Sequence, residues 1–245
     1  PTIQEIANLM LLRGNIGKPG AGLCPVRGHS NVQGDRTMGI NERPPALFLD
    51  ALEKRFQFKA PRASGHNVVE AIHSMLAGKS RVFIGLGGNF AQATPDSTRT
   101  VEALNNCDLT VQISTKLNRS HLTHGAHALI LPCFGRTDID IQSEGPQAVT
   151  VEDSFSMVHA SNGQLQPLSR QMRSEPAIIA GIAAATLGTQ PVDWLWLTAD
   201  YSRIRDLIAD TIPGFKDFNE RLKNPGGFYL GNAASKRRWN TPTAR

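Results

Sequence analysis

The chain has 245 residues, of which 40% are hydrophobic and 19% are charged, so it is long enough for one or two domains with a buried core. Its longest apolar run, Pro176 to Leu187, is shorter than the roughly 20 residues of a membrane-spanning helix, and we expect no membrane span. The three cysteines are widely spaced without a Cys-x-x-Cys pair, which argues against a disulfide framework and a thiolate metal site. This pattern favours a reducing, cytoplasmic compartment.

The positive charge of the chain is concentrated near its start. The formal charge is +5, and residues 1–62 hold nine Lys or Arg against five Asp or Glu. A basic surface there favours an anionic partner, either a phosphorylated ligand or a nucleic acid. No export signal is visible in the sequence. Because the chain starts at Pro1 rather than Met, we expect it to be part of a longer protein.

An amphipathic helix is predicted at the start of the chain, followed by an unusual loop. Apolar residues follow helical spacing from Ile3 to Leu12, and Gly14-Asn15 provides a stop. Residues 14–39 contain seven glycines and two prolines and show no sustained period. This stretch is too long and too rich in glycine for a simple connection, so we predict an ordered loop whose backbone closely approaches a ligand.

The middle of the chain alternates predicted helices with short predicted strands. This alternation is typical of parallel βαβ units and predicts an α/β fold, with a Rossmann-like parallel sheet flanked by helices and ligands at the carboxyl ends of its strands. The predicted helices are Ala46–Phe56, Asn67–Leu76 and Asp96–Asn106, and the predicted strands are Arg81–Leu86, Leu109–Ile113 and Ala128–Leu131.

The last part of the chain has fewer clear patterns. Residues 134–173 are predicted to be irregular, Glu175–Leu187 and Trp194–Ile212 to be helices, and the segment from Pro213 onward to be a wrapping tail. We therefore predict three parts. They are residues 1–62 as a helix and glycine-rich cofactor loop of an adjoining domain, 63–190 as a Rossmann-like nucleotide-binding domain, and 191–245 as a C-terminal helix and tail.

A glycine-rich turn follows the first predicted strand. The run from Gly85 to Phe90 starts like a dinucleotide fingerprint, but its third position is Phe90 and no acidic residue ends the next strand. This departure argues against a nicotinamide site. Two interpretations stay open, a tight turn or a set of backbone amides that receive a phosphate, a ribose or a base.

Two polar clusters are candidates for chemistry but also have simpler explanations. His121, His124 and His127 have the spacing of an H-x-x-H-x-x-H motif, yet Gly125 breaks any helix that would align them, and we expect polar loop residues rather than a metal site. Five carboxylates are candidates for acid/base work, although such a run is more typical of an exposed acidic loop. They are Asp138, Asp140, Glu144, Glu152 and Asp153.

Two further features have alternative interpretations. Cys24 lies near Arg27 and is either an activated thiol or a small buried side chain. The basic run 236–238 with Trp239 is either a nucleic-acid contact or a solvated end of the chain.

The segment LLRGNIGKPGAGLCPVRGHSNVQGDRTMGI, residues 11–40, closely resembles the loop of molybdopterin oxidoreductases of the formate dehydrogenase and dimethyl sulfoxide reductase superfamily. A Gly-Asn-x-Gly-x-Pro-x-x-Gly run followed by Arg-Gly-x-x-Asn-Val-Gln-Gly carries the resemblance. It covers about residues 1–190 and is greatest for a formate-dehydrogenase-like branch. Pieces that fit in order are 87–89, 95–96, 111–113, 131–132 and 152–167.

The resemblance implies a bis(molybdopterin guanine dinucleotide) molybdenum cofactor, with one nucleotide half bound by the Rossmann-like domain. Arg27 matches the arginine that formate dehydrogenases place beside the metal, where a guanidinium can hold a carboxylate by two hydrogen bonds. The other matched positions surround the pterin or lie in the nucleotide loops. They are His29, Asn31, Gln33 and Gly34 for the pterin, and Gly87, Gly88, Asn89, Gln112, Ser114 and Lys116 for the nucleotide.

The resemblance also implies a larger enzyme. No segment matches the family's cysteine or selenocysteine metal ligand, and no cysteine cluster serves an iron–sulfur centre, so no metal ligand is predicted in this chain. We expect a folded but catalytically inactive central fragment, with a 4Fe–4S cluster only in the full-length protein. The expected partners are formate or a similar small anion, the remaining domains of the same subunit and an electron-transfer partner, but no nucleic acid.

A second interpretation assigns the chain to another class of protein. A non-redox nucleotide-binding module, similar to the central domain of thiamine-dependent enzymes, also has a strand followed by a Gly-Gly-Asn turn. It does not explain the segment at residues 11–40. Preference for a guanine or an adenine nucleotide separates the two interpretations.

Overall fold

An α/β architecture, as predicted, is seen in the computed structural model, which describes residues 2–239 and 241–243. The helices are α1 (Thr2–Leu12), α2 (Val32–Thr37), α3 (Ala46–Phe56), α4 (Val68–Leu76), α5 (Phe90–Ala93), α6 (Ser97–Asn105), α7 (Glu175–Leu187), α8 (Trp194–Ala199), α9 (Tyr201–Thr211) and α10 (Phe218–Leu222). The strands are β1 (Val82–Leu86), β2 (Leu109–Ser114), β3 (His127–Pro132), β4 (Asp140–Gln142), β5 (Gly145–Gln147), β6 (Val149–Glu152), β7 (Met157–Ser161) and β8 (Phe228–Tyr229).

The predicted parallel sheet is present and has the strand order β1-β2-β3. Val111 and Ile113 of β2 are buried on one face of the sheet and pack against α7. A second cluster joins buried residues of α4, α5 and α6 to Phe83 of β1. Because all three strands are parallel, their carboxyl ends lie at one edge of the sheet, where ligands of such folds bind.

Side-chain caps explain why two central helices begin where the sequence predicts. Asn67 accepts hydrogen bonds from the backbone of Val69 and Glu70, while the Glu70 carboxylate accepts from the Asn67 N–H, which forms a capping box. The Asp96 side chain likewise accepts from the Arg99 N–H at the start of α6. These signals are local, so sequence reasoning finds them without knowledge of the tertiary structure.

Three sequence predictions of irregular or continuous structure were wrong. Residues 134–173 contain β4 to β7, and the predicted tail contains α10 and β8, which pairs with β7. The helix predicted over Trp194–Ile212 is two helices, because Asp200 has extended backbone and its carboxylate accepts from the Ser202 N–H at the start of α9. The segment 14–39 is irregular up to residue 31 and then contains the short helix α2.

The chain divides into two compact units that are each discontinuous in sequence. The first unit consists of Pro1–Ile40, Val149–Ser161 and Ile208–Arg245, and the second of Asn41–Ala148 and Asn162–Leu207. The first unit has an aromatic core in which Phe228 meets Phe215 and Phe218 edge to face. The second unit contains the parallel sheet. No helix among the described residues combines the length and the apolar character that crossing a membrane requires.

A buried polar network joins β4, α7 and α9 within the second unit. The Tyr201 hydroxyl, in a side chain that is 3% exposed, donates to the Asp140 carboxylate and lies 2.7 Å from the Ser174 hydroxyl. Gln142 donates to the other Asp140 oxygen. Burial is the main cause that raises the pKa of Tyr201, followed by its bond to Asp140, so the phenol keeps its proton and remains a donor.

Replacing Tyr201 with phenylalanine is expected to destabilise this network by about 1–3 kcal/mol, because Asp140 and Ser174 lose a buried partner. Hydrogen exchange of peptides from β4 and α9 in the intact protein measures the local opening free energy. Tyr229→Phe is the control, since Tyr229 is 45% exposed and its loss of a hydroxyl should change protection by no more than about 0.5 kcal/mol. Similar small changes for both variants would show that the network contributes little.

Candidate functional site

The turn after β1 presents bare backbone at the carboxyl end of the strand. Gly87 and Gly88 have φ values of 68° and 72°, a region that L side chains rarely adopt. No heavy atom lies within 4 Å of the position that a Cβ would take at either glycine. The Gly87 N–H donates to the Ile113 carbonyl at 2.7 Å, which ties the turn to β2. The turn therefore has both a fixed backbone and open space on its outer side.

Asn89 is engaged by protein partners on both atoms of its side-chain amide. Its Oδ1 accepts from the Ser120 hydroxyl at 3.0 Å, and its Nδ2 donates to the Gln92 side chain at 2.7 Å. The Ser120 hydroxyl in turn accepts from the Ala91 N–H at 2.9 Å. The side chain of Asn89 thus shapes the turn, and its contact with a nucleotide stays a prediction.

Asn118 and Ser120 contact the turn after β1, and sequence reasoning did not single them out. The Asn118 Nδ2 donates to the Gly88 carbonyl at 2.6 Å, and the Asn118 Oδ1 accepts from the Ser120 N–H at 2.9 Å. His121 completes a capping box with Asn118. The Asn-x-Ser-His order is the one available signal, because a short polar side chain followed three residues later by an acceptor is typical of a capped turn.

The other predicted nucleotide residues lie at or just beyond the carboxyl end of β2. Gln112 is 6% exposed, and its Nε2 has no hydrogen-bond partner among the described residues. Its Oε1 lies close to Gly85, where a Cβ would come within 2.7 Å of it. Ser114 donates to the Lys116 carbonyl at 2.8 Å, and the Lys116 side chain is exposed. Burying an amide nitrogen without a partner is costly, which makes Gln112 the most informative of these residues.

The predicted pterin residues lie in the first unit, on both sides of the start of α2. Arg27 and His29 are exposed in the irregular segment before the helix. Gly34 is buried within α2, where a Cβ would overlap the Asn31 Oδ1 atom. Only glycine at this position leaves room for the Asn31 side chain in its observed place.

Segment 152–154 contacts α2 and the preceding Asn31 through three hydrogen bonds between residues that are more than 100 positions apart. The Glu152 N–H donates to the Asn31 Oδ1 at 2.9 Å, and the Thr37 hydroxyl donates to the Glu152 carboxylate at 2.6 Å. The Gln33 Nε2 donates to the Ser154 hydroxyl at 3.3 Å, while the Gln33 Oε1 is buried without a partner among the described residues.

The carboxylates predicted to form an exposed acidic loop do not share one environment. Glu152 is 9% exposed, at the end of β6, and Asp140 lies in the buried network of the second unit. Both residues lie in short strands rather than in a loop. Because alternate residues of a strand point to opposite faces, a strand can bury some of its polar side chains. The interpretation as an exposed loop is therefore wrong for both residues.

The three candidate histidines serve different local contacts. His121 Nδ1 accepts from the Asn118 N–H at 2.9 Å, His124 Nδ1 lies 2.7 Å from the Gly125 carbonyl, and His127 is exposed at the start of β3. Across residues 2–239 and 241–243, no group of at least three His, Cys, Asp or Glu side chains is arranged to hold a metal ion.

The three cysteines differ in accessibility, which predicts their reactivity. Cys24 is exposed, whereas Cys107 and Cys133 are buried. Burial raises the pKa of Cys133 to about 11 and also raises that of Cys107.

We expect iodoacetamide at pH 8 to alkylate Cys24 in the native protein, and to alkylate Cys107 and Cys133 only in denaturant. Peptide mass mapping measures the labelling of each cysteine. Rapid native labelling of Cys133 would contradict this burial.

The basic end of the described chain contacts the glycine-rich segment. The Arg237 Nε donates to the Ile16 carbonyl at 3.3 Å, and a Cβ at Gly17 would come within 2.6 Å of the Arg237 side chain. Both segments belong to the first unit. Arg237 therefore has a structural contact with the backbone that begins the predicted cofactor loop.

Comparisons with known proteins relate the chain to oxidoreductases. No family model matches it. It is 51% identical to Protein YdeP of Escherichia coli over 99% of its length, and 57% identical over 94% to a protein of Mycobacterium tuberculosis named Uncharacterized oxidoreductase Rv2900c. It is 28% identical to Formate dehydrogenase H of Escherichia coli over 45% of its length, which is 17% of that protein.

The chain spans about a third of the length of the relatives that match almost all of it, 32% of YdeP and 30% of Rv2900c. Since the alignments include both compact units, the similarity does not depend on one motif. Over nearly its whole length, this chain is similar to proteins that include a named oxidoreductase.

Proposed function

We propose that the chain is a central part of the catalytic subunit of a molybdopterin-dependent, formate-dehydrogenase-like oxidoreductase. In this proposal the cofactor is bis(molybdopterin guanine dinucleotide); the residues proposed for the pterin belong to the first unit, and those proposed for the guanine dinucleotide belong to the second. The names of Rv2900c and Formate dehydrogenase H support the reaction class and the branch, respectively. One structural observation carries the proposal: at two family-matched positions, the half-buried Gln33 and the buried Gln112, the side-chain amide keeps one buried polar atom without a partner among the described residues.

The first unit fits a pterin because it offers hydrogen-bonding capacity that the protein does not use. Ser154 can satisfy only one of the two polar atoms of the Gln33 amide, whichever way that amide is turned. The remaining buried atom needs a donor or an acceptor, and a pterin ring carries both. Asn31 and Gly34 keep the adjoining backbone in place, while His29 is exposed beside them.

The second unit fits a phosphorylated nucleotide because its turn combines close access with polar groups. Gly87 and Gly88 lack side chains on an open surface, so a phosphate or ribose can approach their backbone closely. The orphaned Nε2 of Gln112 is a donor for a ligand oxygen, and the exposed Lys116 supplies positive charge near the end of the same strand. Asn89 and Ser114 contribute the shape of the two loops in this proposal.

Arg27 is the residue proposed to orient the substrate. Its side chain is exposed, and a guanidinium presents paired donors that match a small carboxylate such as formate. When bound, the molybdenum cofactor supplies the centre that accepts two electrons from the substrate. The chain's own contribution is to hold the anion by Arg27 and to hold the cofactor by the residues named above. A 4Fe–4S cluster, the metal ligand and the contact with an electron acceptor are proposed for the remainder of the protein.

A nucleotide titration tests the proposal in the intact protein prepared without its cofactor. GDP is expected to raise the melting temperature more than ADP, since a ligand at 100 times its Kd adds about 2.7 kcal/mol of stability. Gln112→Leu should lose most of the GDP-dependent shift. Gln171→Leu, which changes an exposed glutamine of the same unit, is the matched control and should retain it.

The titration also separates the proposal from its rival. Stabilisation by ADP in preference to GDP would favour the non-redox nucleotide-binding module, and absence of pterin from the purified intact protein would contradict the molybdopterin function. Nothing in either result depends on the identity of the substrate. Steep salt-dependent binding of duplex DNA would favour a nucleic-acid partner instead.

A further inference from the structure

The helix α2 is too short to hold its own position. It has six residues, and its flanking Asn31 makes no side-chain cap hydrogen bond. Isolated helices of this length are unstable in water, since nucleation is costly and few hydrogen bonds form. The position of α2 in the first unit must therefore come from tertiary contacts.

Glu152 supplies two of those contacts, one from its backbone and one from its side chain. Its N–H donates to the side chain of Asn31, just before α2, and its carboxylate accepts a hydrogen bond from the hydroxyl of Thr37, the last residue of the helix. The residue thus joins both ends of α2 to the end of β6. Because Glu152 is only 9% exposed, loss of the Thr37 hydroxyl would leave a buried carboxylate oxygen without that donor.

Ser154 adds the contact that orients Gln33 between these two ends. Its hydroxyl accepts from the Gln33 Nε2, and this leaves the Gln33 Oε1 buried without a partner among the described residues. Glu152 and Ser154 are separated by the single residue Asp153, so one short segment makes all three contacts. Segment 152–154 therefore holds α2 near both of its ends and also bonds its glutamine.

We propose that Glu152 and Ser154 are positioning residues for the cofactor site of the first unit. Glu152 holds α2 through Thr37 and Asn31, and Ser154 holds the Gln33 amide, so that its remaining polar atom is presented to the pterin. Neither residue touches the cofactor in this assignment. The inference rests on the proposed function and adds to it two residues from a part of the chain that was expected to be an exposed acidic loop.

The test uses the intact protein prepared without cofactor and titrated with purified molybdopterin guanine dinucleotide. Thr37→Val and Glu152→Leu are expected to raise the half-loading concentration about 10- to 100-fold, as happens when a partner that orients a ligand-holding side chain is removed. Glu152→Gln keeps an acceptor for the Thr37 hydroxyl and should load much like the unaltered protein. The double variant Thr37→Val with Glu152→Leu should be no worse than the more affected single variant, since both remove the same contact.

Two controls separate positioning from general stability. Thr186→Val removes an exposed helix hydroxyl that bonds the Ile182 carbonyl in the second unit, and it should leave loading unchanged. Ser154→Ala removes only the contact with Gln33, so it should weaken loading even if the Glu152 variants do not fold. Hydrogen exchange of the 31–37 peptide without cofactor reports the stability of α2 independently.

Each result has a defined meaning. Unchanged half-loading in Thr37→Val, Glu152→Leu and Ser154→Ala would overturn the inference, even if hydrogen exchange of the 31–37 peptide became faster. Failure of Glu152→Gln to restore loading would show that the carboxylate charge, rather than the Thr37 contact, is what matters, which also contradicts the inference. If the unaltered protein does not load at all, the proposed function itself fails.

Discussion

Replacing Arg27 with alanine in the intact protein is expected to lower the turnover of formate by about 100- to 1,000-fold, the range seen when one preorganised polar donor is removed from a reacting centre. The bound cofactor per chain should stay close to that of the unaltered protein. Arg27 is exposed, and the structure gives it no protein partner among the described residues, so the fold has no evident need for its side chain. Turnover with a dye acceptor and pterin content after purification are the two measurements.

Two variants define what Arg27 contributes. Arg27→Lys keeps a positive charge but loses the paired donors, so it should recover only part of the turnover. Arg13→Ala changes another exposed arginine of the first unit and should affect neither quantity. If turnover and cofactor content fall together in Arg27→Ala, the residue has a structural role rather than a substrate-orienting one.

Replacing Gly227 with alanine is expected to destabilise the first unit by about 2–5 kcal/mol, the sum of a left-handed backbone penalty and of overpacking. Gly227 has a φ of 77°, and a Cβ there would overlap the Val158 carbonyl oxygen of β7. This oxygen belongs to the backbone, so it cannot move without disturbing the pairing of β7 with β8. Hydrogen exchange of β7 and α10 peptides in the intact protein measures the loss.

The neighbouring glycine provides a matched control. Gly226 has a φ of 78°, but no heavy atom lies within 4 Å of its hypothetical Cβ. Gly226→Ala should therefore show only the backbone penalty, about 1–2 kcal/mol. The difference between the two variants isolates the steric overlap with Val158. Equal losses would mean that the approach of β7 to Gly227 is looser than the structure indicates.

Local sequence signals predicted most of the second unit. The observed α3 has the predicted bounds, and α4 and α6 begin one residue after their capping side chains, Asn67 and Asp96. The strands of the parallel sheet were predicted within one residue at each end. Helical periodicity, caps and short apolar runs are read from neighbouring residues, so they need no knowledge of distant partners.

Only part of the candidate site could be predicted from the sequence. The Gly-Gly turn stands out in the sequence, and resemblance to a family pointed to Gln33 and Gln112. Which polar atoms are left without partners depends on what packs around them, and this appears only in the structure. Asn118 and Ser120, which fix the turn through Gly88 and Asn89, carry too weak a local pattern to be recognised beforehand.

The helices α3, α4, α6 and α7, the parallel sheet and the bare backbone after β1 were determined by short stretches of residues, because periodicity and turn chemistry act between close neighbours. The strands β4 to β8, the burial of Glu152 and its bond to Thr37 were decided by tertiary contacts. Those strands have only two to five residues each, and the Glu152–Thr37 pair is separated by 115 positions. A strand of two to five residues has too short a sequence pattern to be recognised on its own. The distant residue that pairs with such a segment is known only from the folded structure.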